Sequence, residues 1–148
     1  MQLFLIHHGE AVGPEIDARR PLSPRGHEQA ERVAAEAASR GARPDVVWHS
    51  GKLRAKQTAE AFRRACNPLA EFAAIRDIQP DDPAQWIRDR LRAETRDVAI
   101  AGHFTHLPRL LALLLEGAED FPSHGAVALE TGDDGETWKE LWRIPAGT

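Results

Sequence analysis

The sequence is poor in cysteine, the residue whose disulfides stabilise many small secreted proteins: it contains only Cys66. It also has one methionine and no tyrosine. A single cysteine excludes an internal disulfide framework and fits a reducing compartment, so we predict a cytoplasmic protein. The apolar stretch near the start, residues 3–6, is too short for a signal-peptide core or a membrane span. We therefore expect no membrane partner.

The chain also lacks an excess of basic residues. Its 19 Lys and Arg against 23 Asp and Glu give a formal net charge of −4, whereas a dedicated nucleic-acid binder normally carries a basic face. The 148 residues, 42% of them hydrophobic, indicate one globular domain over residues 1–148. A chain of this length buries roughly 70% of its unfolded surface, which suffices for a core without metals or disulfides.

Three short apolar runs, at residues 3–6, 46–48 and 98–101, are nearly continuous, as expected for parallel strands covered on both faces. Helical spacing separates them, and a turn at 133–136 predicts a terminal antiparallel hairpin. The pattern predicts an α/β fold whose mainly parallel sheet has an antiparallel C-terminal edge. We expect residues 67–81 to be mostly loop. A third helix after Pro83 is predicted to turn Trp86, Ile87 and Leu91 inward.

Polar residues follow each of the three predicted strands. His8, Ser50 and His103 come from distant parts of the sequence, yet the carboxyl ends of parallel strands lie along one edge, where ligands bind. For any one of these histidines, an ordinary loop residue is the simpler interpretation. Histidine beside glycine after two strands favours a shared site.

Arg54 is the second informative residue. Its spacing with Thr58, Ala61, Phe62 and Ala65 places it on the inward stripe of a helix, in the first turn, where the helix dipole disfavours a cation. A bound phosphate or carboxylate would explain that position. A structural ion pair with an acidic side chain would explain it equally well, and both interpretations stay open.

The motifs at residues 5–11 (Leu-Ile-His-His-Gly-Glu-Ala), 20–23 (Arg-Pro-Leu-Ser), 50–59 (Ser-Gly-Lys-Leu-Arg-Ala-Lys-Gln-Thr-Ala) and 101–103 (Ala-Gly-His) resemble those of the histidine phosphatase superfamily. Among its members, the short SixA-type phosphohistidine phosphatases are most similar. The resemblance extends over nearly the whole chain, and residues 54–59 are its most specific part. It implies a three-layer α/β/α sandwich, the fold also found in phosphoglycerate mutases.

The resemblance also implies roles for individual residues. His8 matches the nucleophile that forms a phosphohistidine intermediate, Arg54 the arginine that clamps the phosphoryl oxygens, and His103 the second histidine that donates to them. Asp77 lies near the place where many relatives carry an acidic proton donor. No cofactor or metal is implied. The expected partner is a phosphorylated protein or a small phosphorylated substrate.

The family motif is Arg-His-Gly, whereas this chain has His7-His8-Gly9. We expect His7, Ser50 and Arg20 to bind substrate, with His7 a weaker substitute for the arginine. Losing a hydrogen bond to a charged group, worth about 1.5–3 kcal/mol, costs about one to two decades in rate. A protonated His7 would recover part of this loss and favour mildly acidic pH. The alternative is an inactive module that binds phosphate or a phosphopeptide.

The sequence is compatible with two further hypotheses. The seven histidines invite a metal site in which His7, His8, His103 and His106 converge with Glu10 or Asp77. His106 and His124 are equally compatible with the surface, and His27 and His49 with structural or solvated positions. A sugar-phosphate mutase or phosphatase is the other alternative. Such relatives carry longer insertions over the pocket, so a short chain favours an open site that admits protein phosphohistidine.

Overall fold

A computed structural model describes residues 1–117 and 120–147. Along the chain its elements are β1 (Gln2–His7), α1 (Pro24–Ser39), β2 (Val46–His49), α2 (Leu53–Cys66), β3 (Glu71–Ala74), α3 (Ala84–Arg92), β4 (Val98–Gly102), α4 (His106–Leu114), β5 (Ala126–Thr131) and β6 (Trp138–Ile144). Across the described residues, none of these helices is long and apolar enough to cross a bilayer.

The strands form one sheet in the order β3-β2-β4-β1-β5-β6. β3, β2, β4 and β1 pair in parallel, and β5 runs antiparallel to β1 and to β6. The predicted mixture of a parallel sheet with an antiparallel C-terminal edge is confirmed. Because β1, β4 and β2 are neighbours, their carboxyl ends deliver His7, His103 and Ser50 to adjacent positions on one edge.

Apolar side chains of the sheet pack against helices on both of its faces. On one face, Leu5, Trp48 and Ile100 meet α3 and α4. On the other, Phe4 and Val47 meet α1 and α2. The fold is therefore a three-layer α/β/α sandwich, as the resemblance implied, and the near-continuous apolar runs follow from burial of both faces.

The start of α1 follows from its sequence, since the Ser23 hydroxyl accepts the N–H of Gly26 at 3.0 Å and Pro24 occupies the first helical position. Two helix-facing predictions are wrong. Ala65 is exposed, and Cys66 closes the inward stripe of α2. Trp86 is 51% exposed, because the nine-residue α3 buries its stripe through Ile87 and Leu91 instead.

Residues 67–81 are mostly loop, as the sequence predicted, but they also contain β3. This strand has only four residues and lies at the edge of the sheet, so its side chains are exposed or half-buried, and two of the four are alanine, a residue depleted in strands. Its stability comes from parallel pairing with β2, from Val46 opposite Glu71 to His49 opposite Ala74.

Candidate active site

His8 lies just beyond β1 at the centre of the carboxyl edge. Its backbone N–H still donates to the Gly102 carbonyl of β4, at 3.1 Å. The next N–H, of Gly9, donates to the Thr58 hydroxyl on α2 at 3.1 Å. A Cβ on Gly9 would collide with the carbonyl oxygen of Gly26. Glycine is thus required here by the close approach of the loop to α1, and this packing fixes the position of His8.

The hydrogen bonds of His8 leave one ring nitrogen free to react. Nδ1 lies 2.7 Å from the Gly9 carbonyl oxygen, which only accepts, so Nδ1 carries the proton and Nε2 has a lone pair. Burial, together with the charges of Arg54 and Arg20, lowers the pKa of His8 to about 4. At neutral pH this half-buried imidazole is therefore uncharged and nucleophilic at Nε2.

His103, at the end of β4, is held by Ser50, at the end of β2. Its Nε2 lies 2.6 Å from the Ser50 hydroxyl oxygen, and the rings of His103 and His8 are 5.1 Å apart. Nδ1 has no hydrogen-bond partner among the described residues. When Ser50 donates its hydroxyl proton to Nε2, Nδ1 carries the ring proton and can donate to a phosphoryl oxygen.

Three basic side chains surround these imidazoles. Arg54, in the first turn of α2, and Arg20, in the loop before α1, both lower the pKa of His8 through their charge. Lys52 acts in the same way on His103. The Nε of Arg20 donates to the Val12 carbonyl at 3.1 Å, and this bond holds the guanidinium in place through its Nε.

No acidic side chain compensates this charge in the described part of the chain. Arg54, Arg20 and Lys52 form no ion pair there. Burial and the charge of Arg20 lower the pKa of Arg54, the opposite of what a carboxylate partner would do. Of the two interpretations of Arg54, the structural ion pair is therefore not what the structure contains, and an anion-binding role fits.

His7 is buried between two rings. It stacks on Phe104 with a centroid distance of 4.0 Å and on His124 at 4.7 Å, both nearly parallel. Its Nδ1 accepts the backbone N–H of His124 at 2.7 Å. Nε2 therefore carries the proton of the neutral ring and is a hydrogen-bond donor.

The idea that His7 is the protonated group fails on this geometry. Burial, with the charges of His8, His124 and His103, lowers the pKa of His7 to about 2. A proton on Nδ1 would also face the N–H of His124, which already occupies that position. His7 thus offers one neutral donor and no charge at physiological pH.

His124 reaches the same edge from the loop before β5, one of the two positions that the sequence left open. Its Nδ1 lies 2.7 Å from the His8 carbonyl oxygen. The centroid of its ring lies 4.7 Å from that of His7 and 6.2 Å from that of His8. Only its place directly before β5, the strand antiparallel to β1, signalled this contact. Lys52 was missed as well, because its helical position resembles a solvated face.

The ring nitrogens of His7, His8 and His124 lie within 4.8 Å of one another, which poses the question of a metal ion. A three-imidazole site needs a lone pair from each ring. His7 has none to give, because Nδ1 accepts an N–H and Nε2 carries the proton. The donor set therefore fits an anion better than a metal, and in the described part of the chain neither His103 nor His106 joins this cluster.

The two carboxylates considered as proton donors lie differently. Glu10 accepts a hydrogen bond from Ser23 at 3.1 Å and pairs with Arg25 at 3.9 Å, so it is engaged at the start of α1. Asp77 is half-buried in the loop after β3, with a φ of 75°. Its role as proton donor stays a prediction.

The remaining histidines serve other purposes. His49 is buried and its Nδ1 accepts the Gly51 N–H at 3.0 Å, while His27 is exposed on α1, so the structural and solvated assignments hold. His106 is fully buried, and neither of its ring nitrogens has a hydrogen-bond partner among the described residues.

A family model, "Histidine phosphatase superfamily (branch 1)", matches residues 3–82, just over half of the chain. This segment contains the His7-His8-Gly9 motif and Arg54. No curated protein sequence gave a significant match.

Solved structures share the fold over almost the whole length. The protein histidine phosphatase SixA complexed with tungstate superposes with a TM-score of 0.87 at 22% identity, covering 99% of this chain and 97% of that one. SixA from Agrobacterium tumefaciens, described as a phosphohistidine phosphatase, gives 0.81 at 22% identity with 97% and 96% covered. A mutant phosphoserine phosphatase from Entamoeba histolytica gives 0.72 at 16% identity with 98% and 97% covered. With the family model and the arrangement of His8, Arg54 and His103, the chain belongs to the histidine phosphatase superfamily.

Proposed function

We propose that this protein is a phosphatase that transfers the phosphoryl group of a protein phosphohistidine to His8 and then to water. The observation that carries the proposal is the free Nε2 of a neutral His8 beside basic side chains that no carboxylate neutralises in the described structure. Half-buried guanidinium groups that no carboxylate neutralises in the described structure are suited to hold a dianionic phosphoryl group.

The reaction divides into two displacements at phosphorus. The Nε2 lone pair of His8 attacks phosphorus, and the bond from phosphorus to the substrate imidazole breaks with its electron pair going to the leaving nitrogen. Arg54, Arg20 and the Nδ1–H of His103 stabilise the charge on the phosphoryl oxygens. Water then attacks the phosphohistidine at position 8, phosphate leaves, and the Nε2 lone pair of His8 is restored.

The substrate class follows from the groups that surround the reacting nitrogen. The charged groups that shift the pKa of His8, His103 and Arg54 are all bases, with no carboxylate among them. A phosphomonoester leaves as an alkoxide and benefits from an acid worth about 10²–10⁴-fold. The P–N bond of phosphohistidine is labile and its imidazole is a competent leaving group. We therefore infer phosphohistidine as the substrate.

The experiment compares phosphate release from a phosphohistidine peptide and from a phosphoserine peptide. Native protein is expected to hydrolyse the first at least about 10²-fold faster, because the second needs a proton donor and no carboxylate is among the groups that shift the pKa of His8 or His103. His8→Ala should abolish release, whereas His27→Ala, which removes an exposed histidine on α1, should leave it unchanged.

The outcomes separate this proposal from the inactive binding module. Equal release by native protein and His8→Ala would contradict catalysis and leave phosphate binding as the function. Faster hydrolysis of the phosphoserine peptide would contradict the substrate class. In that event Asp77 is the first residue to test as the acid, by Asp77→Asn.

A further inference from the structure

His124 supplies an imidazole that the proposed reaction has not used. We propose that binding of a tetrahedral oxyanion is coupled to uptake of one proton by His124, whose Nε2–H then contacts the anion. In this way His124 replaces the positive charge that the family's motif arginine supplies and that His7 does not. The inference rests on the proposed oxyanion site, but not on turnover.

The first observation in favour concerns the hydrogen bonds of the His124 ring. Nδ1 lies 2.7 Å from the carbonyl oxygen of His8, an acceptor, so Nδ1 carries a proton in both charge states. No hydrogen bond engages Nε2 within the described residues. Protonation therefore adds one donor, at Nε2, and breaks no existing bond.

The second support is position. Ring nitrogens of His124 and His8 lie within 4.8 Å of each other, and the ring of His124 stacks on His7 at 4.7 Å. A phosphoryl group placed for attack by His8 is thus beside His124. The ring is half-buried, so its proton exchanges with solvent while the site is open.

The third support is that the neighbouring imidazoles are held neutral. The Nδ1 of His7 already accepts an N–H, and its ring is 6% exposed. His8 needs its Nε2 lone pair to attack. His103, 1% exposed, is bonded to Ser50. Of the four imidazoles at this edge, His124 can gain a proton with the least rearrangement.

Charged groups around His124 set the sign of the coupling. Arg54 on α2 and Arg20 in the loop before α1 act on His8, next to His124, and they oppose a further positive charge in the empty site. A bound dianion offsets both guanidinium groups and attracts the proton. The other neighbours, His7 and His8, are uncharged at neutral pH, so binding and protonation favour each other.

Sulfate is the probe for the test, because it remains a dianion through the neutral range whereas phosphate titrates there itself. Calorimetry in buffers of different ionisation heat measures the protons taken up. Native protein is expected to take up close to one proton per sulfate over the pH range in which His124 is neutral in the free protein and protonated in the complex, and its affinity should fall about tenfold per pH unit there. The His124 ring signal in NMR should titrate at higher pH with sulfate present.

The matched variants are His124→Asn and His27→Asn. Asparagine tolerates the φ of 56° at position 124, and the backbone N–H that holds His7 remains. His124→Asn should bind sulfate with no proton uptake, and His27→Asn should behave as native protein. Equal proton uptake by His124→Asn, or binding by native protein that is independent of pH, would overturn the inference while the oxyanion site stands. No sulfate binding at any pH would overturn the proposed function as well.

Discussion

Basic side chains at the two ends of the sheet face different surroundings. At the amino end, Arg96 bonds to Glu94 at 2.7 Å and to Glu71 at 3.0 Å, and these carboxylates raise the pKa of Arg96. At the carboxyl end, Arg54 and Arg20 have no acidic partner among the described residues, and the pKa of Arg54 is lowered. Carboxylates neutralise Arg96 on the surface, whereas Arg54 and Arg20 lack such partners, within the described part of the chain, at the edge where we propose that an oxyanion binds.

The largest effect is expected when positive charge at the carboxyl end of the sheet is removed. Arg54→Gln should lower phosphate release by about 10²–10³-fold, since it removes a preorganised charge that stabilises the transition state. Arg96→Gln should change the rate less than twofold and cost at most about 1 kcal/mol of stability, because an exposed ion pair contributes little. Steady-state kinetics and urea unfolding measure both. Equal losses of rate in the two variants would contradict the contrast.

Restoring the family arginine sharpens the same comparison. His7→Arg should raise phosphate release by about 10–100-fold, because a charged guanidinium would restore the strong hydrogen bond to the phosphoryl group that a neutral His7 does not supply. The guanidinium must fit between the rings of Phe104 and His124. His7→Lys is the control, because it adds a positive charge without a forked donor. A His7→Arg variant that stays folded but gains no activity would favour the inactive binding module.

A smaller effect is expected at the residue that orients His103. Ser50→Ala removes the hydroxyl 2.6 Å from Nε2, so the ring loses the bond that fixes its tautomer. We expect about a tenfold drop in rate, the cost of one hydrogen bond. Ser39→Ala, at the exposed end of α1, is the matched control. Native-like kinetics for Ser50→Ala would show that His103 is positioned without it.

The smallest effect is on stability, and its sign follows from the histidines. Burial lowers the pKa of His7 to about 2 and that of His103 to about 3. Between those values and the unfolded value near 6.5 the unfolded chain binds more protons, so stability falls as the pH falls. From pH 7 to 5 each buried ring should cost about 1–2 kcal/mol in urea unfolding. A stability that is flat over this range would contradict neutral buried rings.

Much of the site could be predicted from the sequence, because short local patterns indicate the strands and the helix that position its residues. Continuous apolar runs marked the central strands, and the residues that follow them, His8 and His103, reached the same edge. The inward spacing of Arg54 on α2 was likewise legible from helical periodicity. Parallel strands align their carboxyl ends, so these predictions needed no knowledge of loops.

What the sequence did not reveal depends on loops and edges. The place of His124 follows from β5 pairing with β1, and the burial of His106 from α3 packing on α4. Neither contact has a local pattern. β3 is an edge strand of four residues, two of them alanines, which are depleted in strands, and Trp86 follows helical spacing yet remains half exposed. Tertiary packing decides these cases.

The central claim is that His8 carries the phosphoryl group between substrate and water. Mass spectrometry of protein quenched in base during turnover of a phosphohistidine peptide tests it directly, since phosphohistidine survives base and is lost in acid. We expect phosphate on His8 in native protein and none in His8→Ala. Phosphate release without any phosphorylated His8, or a phosphoryl group on another residue that His8→Ala retains, would contradict it.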